Sequence, residues 1–150
     1  MAVYADNRKA HFNYEILETF QAGLALNGQE VKSIKSGRVQ LAGSYVVPRG
    51  EELFLVGAHI PAYQPANAPG DYNPERDRRL LLRKEEIQYL LGKIKERGLT
   101  LVPLKVYTDK RNLKLEFGLA RGKKGKDKRE DIRKREAKRE IERALKHGDV

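Results

Sequence analysis

The sequence predicts a mainly β domain, a small barrel with flanking helices, followed by a basic C-terminal tail. Three observations carry this. Apolar–polar alternation with period two recurs along the chain, with polar turns between the runs. One helical stripe stands out, at Ile87, Leu90, Leu91 and Ile94. All eleven aromatic residues, from Tyr4 to Phe117, lie in the first 117 positions. Beyond Ala120 the chain offers little apolar surface to a core. Residues 1–120 are therefore expected to form the folded body. Residues 121–150 are expected to be a tail that is disordered when free and folds on a partner.

The elements follow in order. A long strand is expected from Tyr14 to Leu26, broken near Gly23. A short helix is expected from Gln29 to Ser36, with Val31 and Ile34 inward and Gly37 ending it. Ser44–Val47 and Leu53–Val56 read as a hairpin around Pro48–Arg49–Gly50. The stretch Pro61–Pro74 carries four of the six prolines. It can sustain neither a helix nor a central strand and reads as a long surface loop. Leu80–Leu82 reads as a core strand fed by Arg76, Arg78 and Arg79. The helix at Ile87–Ile94 has Glu85 and Glu86 in its first turn and Lys95 and Arg97 in its last, which suits the macrodipole, and Gly98 is placed to end it. Leu99–Tyr107 and Leu113–Leu119 form a second hairpin across Asp109–Asn112, and Pro103 predicts an edge or a bulge. Many short strands and few helices at this length suit an oligonucleotide-binding type of barrel.

Composition narrows the function. The 150 residues hold 31 Lys/Arg against 21 Asp/Glu, a formal charge of +10. Residues 121–150 hold 13 of these bases and 7 of the acids. Mean hydropathy is -0.70. The absence of Cys excludes disulfides and Cys-ligated metal sites. No apolar run approaches the ~20 residues of a membrane helix. The N-terminus lacks the apolar stretch of a secretory signal. These features suggest a soluble cytoplasmic protein with an acidic partner, nucleic acid first among candidates.

Catalytic machinery is hard to assemble from these residues. The three histidines, His11, His59 and His147, show no metal-ligand spacing. Gly122–Gly125 lacks the strand and hydroxyl of a phosphate-cradling loop. His59, between apolar neighbours, reads as structural. No enzyme activity, cofactor or metal is expected.

Five blocks of sequence resemble the SsrA-binding protein family, the small protein B of bacterial trans-translation. They are Asn7–Tyr14; Gly23–Lys35 with Gly37 and Gly43–Tyr45; His59–Tyr63; Pro74–Leu82 leading into Glu86–Ile87; and Gly98–Leu104 with Gly118–Lys124 and Asp127–Arg129. Lys35 stands where the family usually has Arg, and Arg79 where it usually has Lys. The charge is kept at both, although the two side chains differ at a bidentate contact. The resemblance implies an oligonucleotide-binding-type barrel that binds transfer-messenger RNA (tmRNA). It implies delivery of that RNA to stalled 70S ribosomes, with elongation factor Tu and alanyl-tRNA synthetase acting through the RNA. The barrel would fill the place of a tRNA anticodon arm, and the tail would lie in the vacant mRNA channel. A monomer is expected. The competing reading is a general structural or ribosomal RNA-binding protein.

Residue by residue, Lys32 and Lys35 are expected to meet phosphates. Glu30 is expected to accept a hydrogen bond from a base edge or ribose hydroxyl, because an acid in a basic patch costs affinity unless it makes such a contact. Ser33 and Arg38 share that segment. Arg76, Arg78 and Arg79 are expected to face RNA backbone, and Lys123 and Lys124 to add to it. His11 is expected toward the decoding centre. In the tail, Asp127, Lys128, Arg129, Arg133, Lys134, Arg135, Lys138 and Arg139 are expected along the mRNA channel of the small-subunit rRNA. Ile141 and Leu145, with Ala137 and Ala144, form a small apolar face that would anchor an induced helix.

Overall fold

A computed structural model describes residues 2–64, 66, 70–96, 98–123 and 125–146; within 125–146 the side chains described are those at 129, 132–141 and 143. Seven strands and four helices are present among these residues: β1 (Ala2–Asp6), α1 (Arg8–Asn13), β2 (Tyr14–Leu24), α2 (Gly28–Lys35), β3 (Tyr45–Arg49), β4 (Glu52–Val56), β5 (Arg78–Leu81), α3 (Lys84–Ile94), β6 (Leu99–Asp109), β7 (Asn112–Gly122) and α4 (Gly125–Lys146).

The sheet is antiparallel and ring-like, in the order β1-β6-β3-β4-β5-β2-β7, with β7 returning to pair β6. This is an oligonucleotide-binding-like fold, but the ring is uneven. The β2–β7 and β6–β7 ladders run nearly full length, whereas β3 meets β6 only at Val46↔Leu101 and β4 meets β5 at two pairs. The side chains that alternate inward fill the ring: Leu53 and Leu55 from β4, Leu80 from β5, Leu101 and Val106 from β6, Leu115, Phe117 and Leu119 from β7. Ile34 of α2 and Leu90 of α3 seal it from outside the strands. Each such side chain contributes about 1.5–3 kcal/mol by leaving water.

The strand and helix expectations hold in outline, with definite shifts. β2 ends at Leu24, and its irregularity lies between Ile16 and Glu18 rather than at Gly23. The cause is packing: a Cβ on Gly118 would meet Ile16 Cγ2 at 2.9 Å, so β2 and β7 approach closely there. Pro48 lies within β3, not in the turn, which falls at Gly50–Glu51. Pro103 does sit at a register shift of β6. Leu80–Leu82 is not uniformly core: β5 alternates, so Leu80 is buried and Leu81 is 48% exposed. β1 and α1 were not expected, because five- and six-residue elements leave too short a pattern to read. The body extends to Lys123, since Gly122 pairs with Tyr14 and the Lys123 N–H donates to the Asn13 carbonyl.

Candidate nucleic-acid interface

The interface starts from a capped helix. Asn27 Oδ1 accepts the Glu30 N–H at 2.9 Å, and Glu30 Oε1 accepts the Asn27 N–H at 3.0 Å, a reciprocal capping box that starts α2. Glu30 then does more. Its other partners are the guanidiniums of Arg76, on both carboxylate oxygens, and of Arg78, whose Nε donates to Oε2 at 2.7 Å. Arg78 also donates to the carbonyls of Ala58 at 2.9 Å and Pro74 at 3.0 Å, and Arg76 to that of Ala25 at 3.1 Å. Tyr72 OH donates to the Ile60 carbonyl at 2.6 Å. One carboxylate thus ties α2, the end of β2, the start of β5 and both limbs of the proline-rich loop together.

This corrects three expectations. Glu30, Ser33 and Arg78 have 0% exposure, so none of them reaches RNA from this position. Glu30 is not a directional contact in a basic patch; Arg76 and Arg78 satisfy it from inside the protein. The pattern of an acid in a basic segment signalled a buried ion pair across 48 residues of sequence, which local spacing does not disclose.

Burial pushes the Glu30 carboxyl up. The hydrogen bonds from Arg76, the Asn27 N–H and Arg78 outweigh it and hold the group below the usual range of a glutamate carboxyl. A depressed folded value means that the stabilisation is complete above the unfolded pKa and is lost as pH falls through the folded one. We therefore expect urea stability to fall below about pH 4.5 through this group. In Glu30→Gln that acid-side slope should flatten, as measured by denaturation midpoints from pH 3 to 7.

The exposed cations lie on the surface this network holds in place. Lys32, Lys35 and Arg38 project from α2 and the segment after it, and Arg79 is exposed on β5. Arg76 is partly exposed. A groove of about 460 Å³ runs between α2, β2 and the β6–β7 turn, lined by Val31, Lys35, Leu81, Arg111, Leu113 and Lys114 among others. A second depression of about 750 Å³ adjoins it, with Phe20, Gln21, Arg79 and Arg83. Gly23, Leu81 and Lys114 line both. A Cβ on Gly23 would lie 3.3 Å from Leu81 Cβ, so β2 and β5 approach closely where the two depressions share Leu81. The sequence reading missed Leu81, Arg83, Arg111 and Lys114. Arg111 is one of two non-glycine residues with left-handed φ among those described, +72°, in the two-residue turn of the β6–β7 hairpin. The two-residue turn itself demands it, since both central residues of such a hairpin take positive φ. Lys110 and Arg111, read only as a polar turn, were the available signal.

At the other end of β2, Lys123 Nζ donates to the His11 carbonyl at 3.2 Å, joining the exposed His11 on α1 to the base of α4. The Arg135 guanidinium lies 5.5 Å from the centre of the Phe12 ring, which seats α4 against α1. Arg129, Arg133, Lys134, Lys138, Arg139 and Ile141 are exposed along α4. Lys124 lies outside the described residues, as do the side chains of Asp127, Lys128 and Leu145. His59, expected to be structural, is partly exposed and its Nδ1 sits 2.7 Å from Glu75 Oε1.

Comparison with known proteins places this arrangement. The family model described as SmpB protein matches residues 4–147. The chain belongs to the SmpB family. The SsrA-binding protein of Acaryochloris marina is 51% identical over 97% of this chain and 95% of its own length. That of Thermosynechococcus vestitus is 49% identical over 96% and 95%. A solved structure described as "tmRNA-SmpB: a journey to the center of the bacterial ribosome" superposes with a TM-score of 0.69 at 45% identity, covering 89% of this chain and 96% of that one. The relatives are named for binding an RNA, not for catalysis. No described helix is long and apolar enough to cross a membrane.

Proposed function

We propose that this chain binds tmRNA and carries it to stalled bacterial ribosomes for trans-translation, acting in the cytoplasm without covalent chemistry of its own. The observation that carries the reading is the separation of two cationic ends along one long strand, β2. Lys35, Arg111 and Lys114 meet beside Gly23, and His11, Lys123 and α4 meet beside Tyr14. Nine residue steps along β2, from Tyr14 to Gly23, separate these ends, about 30 Å at ~3.3 Å each. A protein that holds one RNA while entering another needs two such faces kept apart. The names of the relatives and of the structural neighbour supply which RNAs these are.

In this reading the groove takes the tRNA-like end of tmRNA. Lys32, Lys35, Arg38 and Arg79 offer phosphate contacts, Arg76 does so with its exposed part, and Leu81 offers an apolar contact to a ribose or base. The Glu30 network positions α2 without touching RNA. His11 and α4 face the decoding centre and mRNA channel, where rRNA phosphates neutralise the helix. Elongation factor Tu and alanyl-tRNA synthetase engage through the RNA.

The experiment is RNA binding by the full chain as a function of salt. Log affinity for tmRNA should fall with log salt at a slope of roughly 0.7–0.9 per phosphate contact. Charge reversal at Lys35 and Arg111 together should reduce that slope by about two contacts and the affinity more than tenfold. A general RNA-binding protein would bind bulk tRNA and ribosomal RNA equally well. Preference for tmRNA below tenfold, about 1.4 kcal/mol, would overturn the dedicated role.

A further inference from the structure

The β3–β4 hairpin and α3 enclose a furrow whose residues have no part in the RNA contacts proposed above. At the start of α3 a depression of about 240 Å³ lies between Glu51 and Glu52 of the hairpin and Lys84, Ile87 and Gln88 of the helix. It meets the larger depression beside Arg79 at Glu52 and Leu82 and leads away from it along α3. At the end of α3 a hollow of about 450 Å³ lies between Pro48 and Gly50 and Leu91, Ile94 and Lys95. We propose that this furrow is the docking groove for an amphipathic helix of a protein partner, laid antiparallel to α3.

The shape follows from the helix. Ile87, Leu91, Ile94 and Lys95 recur at three- and four-residue steps, so they share one flank of α3. Ile87 is 8% exposed and turns to the core. Leu91 and Ile94 pack against the core on one side and remain half-buried, open to the furrow on the other. Pro48 faces them across it, and at Gly50 open space stands where a Cβ would project, so an occupant can approach the hairpin backbone. From Lys84 to Lys95 the flank is about 16 Å long at ~1.5 Å per residue, the length of three helical turns. An apolar strip of that length between a helix and a hairpin suits the stripe of a partner helix.

The charges select and orient the occupant. Glu51, Lys84 and Lys95 are exposed and make no ion pair or hydrogen bond among the described residues. Glu52 lies 3.8 Å from Arg79. Arg49, the base at the hairpin tip, is taken by Asp77 and lies over the Phe54 ring. The furrow therefore has two carboxylates against one ammonium at the start of α3, and Lys95 alone at its end. A helix ordinarily carries acids in its first turn and bases in its last. Laid antiparallel to α3, such a helix sets its bases by Glu51 and Glu52 and its acids by Lys95. Laid parallel, it sets like charge against like. RNA is the poorer occupant, since the lining offers no aromatic ring to a base and two carboxylates to a phosphate. A second copy is poorer as well, because each chain brings a charge of +10.

The test uses the full chain, 15N-labelled, and two stapled 14-residue helical peptides of the same composition. Both carry leucine at every third or fourth position. One has glutamates in its first turn and lysines in its last, and the other has them exchanged. The first peptide should shift the amide signals of residues 48–52 and 84–95 saturably. It should bind about threefold tighter than the second, the scale of one or two exposed ion pairs. In the double variant Glu51→Lys, Lys95→Glu that preference should reverse. Both side chains are exposed, so the fold should tolerate the exchange. Amide shifts confined to other regions, equal binding of the two peptides, or a preference that the folded double variant keeps would each overturn the proposal. Should the variant fold poorly, the parent chain's preference between the peptides decides. Furrow shifts with a single-stranded adenylate hexamer instead of the peptides would make this an RNA face, and shifts with chain concentration alone a contact between copies; either result overturns the partner helix. No arm of the experiment involves tmRNA, so a chain that failed to bind tmRNA would overturn the function reading and leave this one standing.

Discussion

Glu30→Ala is expected to destabilise the domain by about 3–5 kcal/mol, a large share of the roughly 5–15 kcal/mol that holds a domain of this size. The reason is what it leaves behind. Arg78 has 0% exposure, and its Nε would lose its only partner among the described residues while the charge stays buried. Arg76 would lose its carboxylate, and the Asn27 N–H its cap. Because the network also reaches the Pro74 carbonyl and α2, tmRNA affinity should fall with stability even though Glu30 is buried. Urea denaturation measures the first effect and filter binding the second. The two should fall together across Glu30→Ala, Glu30→Gln and Arg78→Met. A variant that lost affinity while keeping its denaturation midpoint would restore the direct contact that burial argues against. Replacing Glu30 and Arg78 together by apolar residues should cost less than the sum of the single changes, since the uncompensated charge disappears with its partner.

Removing residues 124–150 is expected to abolish tagging on ribosomes stalled at the end of a truncated mRNA, while lowering tmRNA affinity less than tenfold, about 1.4 kcal/mol. The cut falls after Lys123 because β7 and its pairing with Tyr14 and Asn13 belong to the barrel. α4 is helical, yet its described apolar side chains are poorly covered: Ile132 is 43% and Ile141 62% exposed. Against the body it has the cation–π contact of Arg135 with Phe12. A contact of that kind in water contributes about 0.5–1 kcal/mol, far below the ordering entropy of a 22-residue helix at about 1–2 kcal/mol per residue. The helix therefore needs a further surface, and under the proposed function rRNA phosphates in the mRNA channel would be the one that neutralises its charge. Charge reversal at Lys128 and Arg129 should reduce tagging less than the deletion does. A tail-less chain that tags as well as the full one would make the tail a solubilising extension.

The sequence by itself determined the parts that depend on local pattern. Alternation at Leu113–Leu119, the stripe at Ile87–Ile94 and the helix of α2 were legible because each repeats its period often enough to be distinguished from chance. The proline-rich stretch was legible as a loop because proline removes the donors a ladder needs. The basic balance and the five family-like blocks pointed to RNA. Short elements such as β1 and α1 were not legible, since six residues of helix or five residues of edge strand carry too little period.

Only the tertiary structure decided which charges face water. Glu30, Arg76 and Arg78 look alike on paper to Lys32, Lys35 and Arg79, but ring closure brings the first three together across the interior and leaves the second three outside. The same closure sets Leu81 on the rim beside Gly23, and carries Arg111 and Lys114 from a distant hairpin to Lys35. Local sequence sets periodicity and propensity. The partner of a buried charge is fixed by contacts some fifty residues away, and those exist only once the ring has closed.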